Sequence, residues 1–487
     1  MVDIEFSQYQ KDIFEFIKHG FGNAVVLAVA GSGKSFTVIN GLSYIKPDKR
    51  VLFSAFNSSI VEELKKKIHR ENTDIKTIHS IGLSMIRYAF KGKEIIIDEN
   101  KYPSKLTEIL VGNSLAYNKN YIKTIIKLCN LGRFYLVKDI KELTKIANKY
   151  SIVAHYDEIE ISLELINWGE NSLNEINTID YTDMIFLPNA LNLRGFKYDF
   201  IVIDEAQDLS VSQISLIMKC FKQGTRFIAV GDEKQAIYGF SGSDIDSFRK
   251  LRTSNNTIEL PLSVCYRCPK KVIKLAQKLV PYIMYSDNAI EGNIIYEATI
   301  DNLVSGDMVI CRNTVPLIKL YTQLISNSIA CYIKGVDIGV NLIDIIENLR
   351  SNNIIELIKE LDETIYKYII INEKNLVLSK EEINKTQEYN DLNDKIECIK
   401  LLSIGIDTKE ELINKITNIF SDENNKGICL STIHKAKGLE ADNVYLLDRH
   451  LLPSKYAKQE WELIQEQNLE YVAYTRAKKT LGFLKSE

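Results

Sequence analysis

The chain has 487 residues, of which 45% are hydrophobic and 26% are charged. This length exceeds what a single hydrophobic core usually serves, so we expect more than one folded domain. The composition is that of ordinary globular proteins and excludes a disordered or fibrous chain. Because the formal net charge is −3, the overall field does not attract nucleic acid. Any nucleic acid would have to be held by local basic patches and aromatic side chains.

The amino-terminal segment lacks the features of a secretion signal. It carries acidic and polar residues where a signal peptide needs a basic start and an apolar core. The longest apolar runs, such as residues 24–30, are far shorter than the roughly 18 to 20 residues of a membrane-spanning helix. Eight scattered cysteines indicate free thiols, and the pair Cys265 and Cys268 has no second metal-ligand pair beside it. The sequence therefore predicts a cytoplasmic protein.

Strand and helix patterns alternate through the first part of the chain. Helical spacing over residues 8–17 is followed by an apolar strand and a glycine turn, and Asn57 later opens another helix. The predicted strands of this part cover residues 25–30, 51–56, 200–203 and 227–230. Apolar runs that alternate with helical stretches are typical of a parallel sheet covered by helices.

A second set of strands begins after residue 263. Its predicted strands cover residues 308–311, 428–433 and 444–447. Two stretches rich in Lys, Asn and Ile show helical spacing without strand punctuation, and we predict them as helical insertions over residues 81–180 and 336–425. The sequence thus predicts an α/β protein with two parallel-sheet domains, each carrying a mainly helical insertion. The predicted domain ranges are 1–80 with 181–262, and 263–335 with 426–487.

A glycine-rich turn between the first predicted strand and the following helix resembles a phosphate-binding loop, with alanine at the first glycine position. The residues predicted to surround the phosphates are Ala30, Gly31, Ser32, Gly33, Lys34 and Ser35. In such a loop, backbone N–H groups bind the phosphates, the lysine neutralises their charge and the Ser35 hydroxyl ligates Mg²⁺. A plain glycine turn is the structural alternative, which the Gly-Lys-Ser run after a buried strand disfavours.

The run FIVIDEAQD places two carboxylates directly after four apolar residues. At the end of a strand, Asp204 can hold Mg²⁺ and Glu205 can polarise the attacking water. A solvated acidic turn is the alternative for such a run. Downstream of a phosphate loop, however, the two motifs together predict an enzyme that hydrolyses nucleoside triphosphates with Mg²⁺.

Beyond these two motifs, the chain resembles the UvrD/Rep/PcrA group of superfamily 1 DNA helicases, as a compact member that ends shortly after the last motif. The resemblance rests on a series of segments that stand in the family's order. They are FSQYQ, VLFSAFNSS, TIHSIG, DYTDMI, GDEKQAIYGFSGSD, LPLSVCYRCP, VICRN, STIHKAKGLEA and LEYVAYTRAKK. The family usually has tryptophan and arginine where this chain has Phe240 and Ser241, so one basic contact is expected to be lost. The resemblance implies that both sheet domains are RecA-like.

The resemblance also assigns roles at the nucleotide. Gln10 would read the adenine, Tyr266 would stack on it and Glu440 would touch the ribose. The residues that would act on the γ-phosphate are the sensor Gln235 and the arginine fingers Arg267 and Arg476. Because the two arginines belong to the second predicted domain, ATP would be grasped completely only on closure, which would couple hydrolysis to movement.

Candidate DNA contacts follow from the same motifs. They are Phe56, Asn57, His79, Tyr238, Phe240 and His434. Stacking of a base on an aromatic ring contributes about 1 to 3 kcal/mol and does not depend on base sequence, which suits a translocating motor. Core packing is the alternative for each aromatic residue, and for Phe56 the two interpretations weigh equally. The two histidines lack metal-ligand neighbours, so we interpret them as polar contacts.

The hypothesis that accounts for every motif is ATP-dependent translocation on single-stranded DNA with unwinding of duplexes in replication, repair or recombination. The direction would be 3′→5′ if the resemblance extends to polarity. The expected partners are single-stranded DNA and its junctions with duplex DNA, with no membrane, and the chain would be a monomer or weak oligomer. The alternatives are a DNA-stimulated ATPase that strips proteins from DNA, and a motor subunit of a phage or defence complex that needs a protein partner. An RNA substrate is disfavoured, although no residue reads the 2′-hydroxyl.

Overall fold

The computed structural model describes residues 5–55, 57–112, 119–239, 242, 245–253, 256–376, 379–421 and 426–486. The chain forms two compact units. The first comprises Met1–Ala28 and Gly33–Ser263, and the second comprises Val29–Ser32 and Val264–Glu487. The borders predicted for the domains and for the two insertions stay predictions.

The first unit is built on a parallel sheet. Its strands are β1 (Asn23–Ala28), β2 (Val51–Ala55), β3 (Thr73–Thr77), β4 (Ile96–Ile97), β5 (Thr178–Ile179), β6 (Tyr198–Ile203), β7 (Phe221–Gly231) and β8 (Thr257–Leu262). Six of them form one sheet in the order β3-β2-β6-β7-β1-β8, and every pair in it is parallel. The short β4 and β5 form a separate parallel pair.

Eleven helices accompany these strands in the described part of the first unit. They are α1 (Gln8–His19), α2 (Lys34–Gly41), α3 (Ser58–Lys67), α4 (Ile78–Ala89), α5 (Lys101–Gly112), α6 (Lys119–Tyr135), α7 (Ile140–Lys149), α8 (Tyr156–Ser172), α9 (Asp183–Ala190), α10 (Val211–Met218) and α11 (Ile245–Arg252). Alternate residues of the central strands enter two separate cores, with Val26 and Val202 in one and Val25 and Ile201 in the other. Because helices cover both faces of the sheet, its central strands read as continuous apolar runs.

The second unit repeats this architecture. Its strands are β9 (Val264–Cys265), β10 (Met284–Tyr285), β11 (Asn293–Ala298), β12 (Met308–Cys311), β13 (Cys331–Lys334), β14 (Ile428–Thr432), β15 (Ala441–Leu447) and β16 (Ala477–Leu484). Six of them form a parallel sheet in the order β11-β16-β15-β12-β14-β13. The predicted α/β class with two parallel sheets is therefore confirmed.

The helices of the second unit lie between and after these strands. They are α12 (Lys270–Ala276), α13 (Thr314–Ser326), α14 (Val336–Glu347), α15 (Ile354–Leu376), α16 (Lys380–Ile383), α17 (Gln387–Leu402), α18 (Lys409–Ile419), α19 (Ile433–Ala436) and α20 (Glu460–Tyr474). One hydrophobic core contains both sheet residues such as Val309 and Leu430 and residues of the predicted insertion such as Leu361 and Ile399. The insertion helices are thus packed on the sheet through shared apolar side chains.

Local sequence signals fix where several elements begin. Ser7 and Gln10 form a capping box at the start of α1, and the Asn57 side chain accepts a hydrogen bond from the backbone N–H of Ile60 at the start of α3. Both helix starts agree with the predictions. The stretch predicted to be without strands nevertheless contains the pair β4 and β5. Each of these strands is only two residues long, too short to give a period-two pattern in the sequence.

Among the residues that the structure describes, no helix combines the length and the apolar character needed to cross a bilayer. All eight cysteines are present as thiols.

Candidate nucleotide-binding site

The residues predicted to bind and hydrolyse the nucleotide in the first unit follow three neighbouring strands. Lys34 follows β1, Asp204 and Glu205 follow β6, and Gln235 follows β7. These strands are adjacent in the order β6-β7-β1 and run parallel. Since ligands of open α/β sheets bind outside the carboxyl ends of the strands, the topology brings these side chains to one edge.

The predicted phosphate loop has the backbone that its glycines allow. Gly31 and Gly33 have φ values of 66° and 76°, in the left-handed region that favours glycine. Gly33 directly precedes α2, so the first N–H groups of this helix point out of its amino terminus, where an anion is favoured. The Ser32 hydroxyl is buried and has no hydrogen-bond partner among the described residues. An unpaired buried hydroxyl at this position leaves a donor for a phosphate oxygen. Ala30, Gly31 and Ser32 are grouped with the second unit.

Two contacts join the loop to the acidic strand end. The Lys34 ammonium lies 3.0 Å from a Glu205 carboxylate oxygen, and the Ser35 hydroxyl donates to Asp204 Oδ2 at 3.0 Å. The two pairs predicted from separate motifs are therefore in direct contact. Glu205 has a φ of 48°, which is uncommon for a residue with a side chain. Such backbone strain is concentrated at functional sites.

The electrostatics of this cluster follow from burial and from the density of charges. Burial raises the pKa of Asp204 to about 6, and the neighbouring Glu205 charge adds to the rise. Burial likewise raises the pKa of Asp232 to about 6. For Lys34, burial acts to lower the pKa, but the charges of Glu205, Asp232 and Asp204 outweigh it and the net pKa is raised. The lysine is therefore held firmly as a cation in a buried acidic setting.

The sequence interpretation did not single out two residues that support the cluster. Buried Gln207 donates from Nε2 to Glu205 Oε2 at 2.5 Å and accepts from the Asp232 backbone N–H at 3.0 Å. Asp232 in turn accepts from Gln235 Nε2 at 2.6 Å. Both lie inside motifs that the sequence displayed, but only packing reveals that one amide connects the two strand ends.

The side chain of Gln10 lies on the same unit. Its Nε2 donates to Thr37 Oγ1 of α2 at 3.0 Å, and its Oε1 accepts from the Ser7 backbone N–H at 3.0 Å. Gln10 is buried. Its predicted contact with adenine remains a prediction, and the structure shows that the same amide also fixes α1 to the helix after the phosphate loop.

The second unit holds the predicted arginine fingers in two different environments. Arg267 lies 2.5 Å from Glu440, and Lys478 lies 2.6 Å from the same carboxylate. Burial would raise the pKa of Glu440, but the hydrogen bond from Lys478 and the Arg267 charge lower it overall. Glu440, predicted to contact the ribose, is thus engaged by two cations. Tyr266, predicted to stack on adenine, is 48% exposed.

Arg476 is buried, and its guanidinium donates to carbonyl oxygens. Nε donates to Val472 O at 3.0 Å and NH1 donates to Leu439 O at 3.2 Å. Burial, followed by the nearby charge of Arg267, lowers the pKa of Arg476 to about 10. It therefore remains charged at neutral pH.

The donor set at the loop fits a hard divalent cation. The Ser35 hydroxyl and the Asp204 carboxylate are oxygen ligands of the kind that Mg²⁺ prefers, and Mg²⁺ takes its remaining ligands from phosphates and water. In the described part of the chain, no cluster of three or more His, Cys, Asp or Glu side chains is arranged as a metal site.

The predicted DNA contacts that lie in the described residues follow the carboxyl ends of strands. Asn57 and His79 each lie two residues beyond the paired strand ends Ala55 and Thr77. Burial lowers the pKa of His79, whose ring packs edge-on against Tyr181 with centroids 6.5 Å apart. Asn57 serves as the cap of α3, and its role on DNA stays a prediction.

The remaining predicted DNA contacts are a tyrosine, a histidine and two phenylalanines. Tyr238 is half-buried just beyond the turn that contains Gln235. Burial, together with the nearby Arg312 charge, lowers the pKa of His434 to about 3, so its ring is neutral near neutral pH. Phe56 and Phe240 lie outside the described residues.

Comparison with known proteins adds to this geometry. The profile of the UvrD/REP helicase N-terminal domain matches residues 9–256, more than half of the chain. The chain belongs to the UvrD/REP helicase family. A second profile, the UvrD-like helicase C-terminal domain, matches residues 427–484.

Individual members of the family match at low identity. The ATP-dependent DNA helicase PcrA of Bacillus subtilis is 23% identical, with 96% of this chain and 81% of PcrA covered. The ATP-dependent DNA helicase Rep of Buchnera aphidicola is 25% identical over 56% of this chain and 43% of Rep. A probable DNA helicase II homologue of Mycoplasma capricolum is 24% identical over 52% of this chain and 38% of that protein. The chain thus spans less than half of two of these relatives and most of the third.

Proposed function

We propose that this chain is an ATP-driven motor that translocates on single-stranded DNA in the 3′→5′ direction and separates duplex DNA. The observation that carries the proposal is the paired contact of Lys34 with Glu205 and of Ser35 with Asp204 at the carboxyl edge of the first sheet. Family profiles that match both ends of the chain support it. PcrA and Rep are ATP-dependent DNA helicases by name.

The proposed chemistry uses the contacts of the described cluster. ATP binds with its phosphates at the amino terminus of α2, and Lys34 transfers hydrogen bonds from Glu205 to the β- and γ-phosphates. The freed Glu205 carboxylate accepts a proton from the attacking water, whose oxygen bonds to the γ-phosphorus while the bond to the β–γ bridging oxygen breaks. Mg²⁺, held by Ser35 and Asp204, would neutralise the charge that develops on the phosphates.

Positioning of the base depends on the neighbouring amides. Gln207 fixes the Glu205 carboxylate by its 2.5 Å hydrogen bond and is itself held by the backbone of Asp232. Gln235, bonded to Asp232 at 2.6 Å, is proposed to exchange that partner for the γ-phosphate. In this way the hydrogen bonding of Gln235 at the sheet edge would change with the state of the bound nucleotide.

The second unit is proposed to contribute two positive charges. Arg267 and Arg476 would act on the γ-phosphate, Tyr266 would stack on adenine and Glu440 would contact the ribose. This part of the proposal rests on the motifs of the sequence. An arginine finger contributes roughly 10³ to 10⁵ in hydrolysis rate, so hydrolysis would depend on both units.

The test is ATP hydrolysis measured with and without single-stranded DNA. Wild type would be compared with Lys34→Ala, Arg476→Ala and the control Lys11→Ala, a substitution at an exposed position on α1. We expect strong stimulation by DNA in wild type and control, with a loss of about 10³-fold in Arg476→Ala and no measurable activity in Lys34→Ala. Equal hydrolysis with and without DNA would contradict the proposal.

Strand displacement on duplexes with a 3′ or a 5′ single-stranded tail then tests direction and unwinding. We expect displacement only with the 3′ tail. Stimulated hydrolysis without displacement would favour an ATPase that strips proteins from DNA. Very low hydrolysis on naked DNA would favour a motor subunit that requires a protein partner.

A further inference from the structure

Two exposed aromatic rings lie together on the first unit. Tyr88 on α4 is 53% exposed, and Phe196, in the loop before β6, is 36% exposed. Their ring centroids are 5.8 Å apart at an angle of 65°. Exposed aromatic pairs are costly to leave in water, which points to a binding role.

Three cations surround these rings. The Lys91 ammonium lies 4.2 Å from the Tyr88 centroid. The Lys76 ammonium and the Arg50 guanidinium lie 5.6 and 6.0 Å from the Phe196 centroid. We call Tyr88, Phe196, Arg50, Lys76 and Lys91 the aromatic–cation patch.

The charge of the patch is positive. Arg50 pairs with Asp74 at 2.9 Å, and Asp74 also accepts from Tyr198 Oη at 2.6 Å. Across the part of the chain that the structure describes, Lys76 and Lys91 form no ion pair. Asp199 also accepts from the Arg50 backbone N–H at 2.9 Å. Three cations against the two carboxylates Asp74 and Asp199 leave an excess of positive charge next to the exposed rings.

The loop that carries Phe196 is held against α4. A side chain at Gly195 would place its Cβ 2.7 Å from Met85 Cε and 2.7 Å from the Lys219 carbonyl oxygen. This close approach fixes the backbone next to Phe196 and sets its ring beside Tyr88 on the same helix as Met85. The patch is therefore built by packing rather than by chance exposure of a mobile loop.

The two rings and Arg50 lie toward the opposite end of the sheet from the nucleotide residues. Arg50 directly precedes β2 and Phe196 lies two residues before β6, whereas Asp204 follows the carboxyl end of β6. A strand of five or six residues is about 17 to 20 Å long. Arg50 and the two rings are thus separate from the edge that carries Asn57, His79 and the nucleotide cluster. Lys76, one residue before the carboxyl end of β3, reaches the Phe196 ring from the side of that edge.

We propose that the aromatic–cation patch binds single-stranded nucleic acid as an accessory site. A nucleotide carries a planar base and an anionic phosphate, which match the exposed rings and the ammonium and guanidinium groups beside them. Duplex nucleic acid keeps its bases stacked inside and offers no free face to Tyr88 or Phe196. An acidic peptide matches the cations but not the pair of rings.

The site is located by photocross-linking of the full chain to a single-stranded oligonucleotide that contains 5-iododeoxyuridine. We expect a cross-linked peptide that contains Tyr88 or Phe196. The inactive Lys34→Ala variant is expected to give the same cross-link, because the patch does not need ATP hydrolysis. A positive cross-link in a chain without DNA-stimulated hydrolysis would leave this inference standing even if the proposed motor function fails.

Affinity measurements by fluorescence anisotropy test the chemistry. The double variant Tyr88→Ala with Phe196→Ala is expected to raise the dissociation constant for a long oligothymidine at least about fivefold for each ring removed. Tyr88→Phe keeps the ring and is expected to bind like wild type. Lys76→Ala with Lys91→Ala is expected to flatten the logarithmic salt dependence by about 1.4. The control Lys65→Ala on α3 is expected to leave both quantities unchanged.

Several results would overturn the inference. One is the absence of a cross-link to a peptide that contains Tyr88 or Phe196. Another is equal affinity of the double aromatic variant and wild type for the oligonucleotide. A third is displacement of the oligonucleotide from the patch by blunt duplex DNA at equal concentration. Tighter binding of an acidic peptide than of the oligonucleotide would assign the patch to a protein partner instead. Since Tyr88 and Phe196 are exposed, far-ultraviolet circular dichroism of the variants is expected to match wild type.

Discussion

Replacement of Asp204 by asparagine is expected to raise the stability of the protein while abolishing its hydrolytic activity. Burial raises the pKa of the Asp204 carboxyl from 3.8 to about 6. The folded state therefore holds this proton more tightly than the unfolded chain, so stability is lost as the pH rises from about 4 to about 6, and the full cost of the ionised carboxylate is present above that range. Since one pKa unit corresponds to about 1.4 kcal/mol, the ionised side chain costs about 3 kcal/mol at neutral pH.

Asparagine can keep the local hydrogen bonds without the charge. Asp204 Oδ1 accepts from the Glu205 backbone N–H at 3.0 Å, and Oδ2 accepts from the Ser35 hydroxyl at 3.0 Å. The asparagine oxygen can retain the first bond, and its NH₂ group can donate to the hydroxyl oxygen in place of the second. The stability change thus reports the charge, while loss of the metal-binding carboxylate is expected to lower ATP hydrolysis by about 100-fold or more.

The assay is urea denaturation at pH 7.5 and pH 5.0 without divalent cations, with Asp48→Asn as an exposed control. At pH 7.5 the Asp204→Asn variant is expected to be more stable by up to about 3 kcal/mol. At pH 5.0 the gain is expected to fall to about half, because the wild-type carboxyl takes up its proton. A gain that does not change with pH, or a loss of stability at pH 7.5, would refute the electrostatic reasoning.

Three further changes address other parts of the structure. Arg133→Met leaves the buried carboxylates of Asp180 and Asp183 without the guanidinium that pairs with them. The free energy of unfolding is expected to fall by about 3 to 5 kcal/mol. The exposed control Lys141→Met is expected to show no change. Asn57→Ala is expected to lower the free energy of unfolding by about 1 kcal/mol, because the α3 cap is lost, whereas Asn57→Ser keeps the cap. If both variants lose affinity for DNA, the Asn57 amide is assigned to DNA binding. Because the folded-state pKa of His434 lies near 3, the unfolded chain binds its proton first. The free energy of unfolding of wild type relative to His434→Gln is therefore expected to fall by about 2 kcal/mol between pH 8 and pH 5, and an unchanged difference would contradict this.

The central strands and the phosphate loop could be predicted because their signals are local. The strands predicted over residues 200–203 and 308–311 appear within β6 and as β12, since a strand buried on both faces is a continuous apolar run. The loop needs glycines at positive φ and a lysine at the helix start, which the sequence displays directly. Five strands of the two sheets were not predicted, namely β3, β8, β11, β13 and β16. All but β16 are edge strands, which have a neighbour on only one side and therefore also carry polar residues. The interior strand β16 carries a run of polar residues near its start.

The buried ionic network around the DYTDMI segment shows what the sequence could not give. Asp183 accepts from Lys101 at 2.5 Å and from Tyr102 at 2.6 Å, and Arg133 bonds to both Asp183 and Asp180. Its members come from α5, α6 and the segment from the end of β5 into α9. Except for Tyr102 they are charged residues, which a composition-based interpretation assigns to the surface. Their burial is possible only because each charge finds its partner in the folded chain.

The sequence by itself determined the α/β class, the place of the phosphate loop and the order of the family's motifs. These properties depend on residues close together in the chain. Only the tertiary structure decided the raised pKa of Asp204, the hydrogen bond from Gln207 to Glu205, the two cations on Glu440 and the position of Tyr88 beside Phe196. Desolvation and charge pairing act between residues far apart in sequence, so they are fixed only when packing sets their distances.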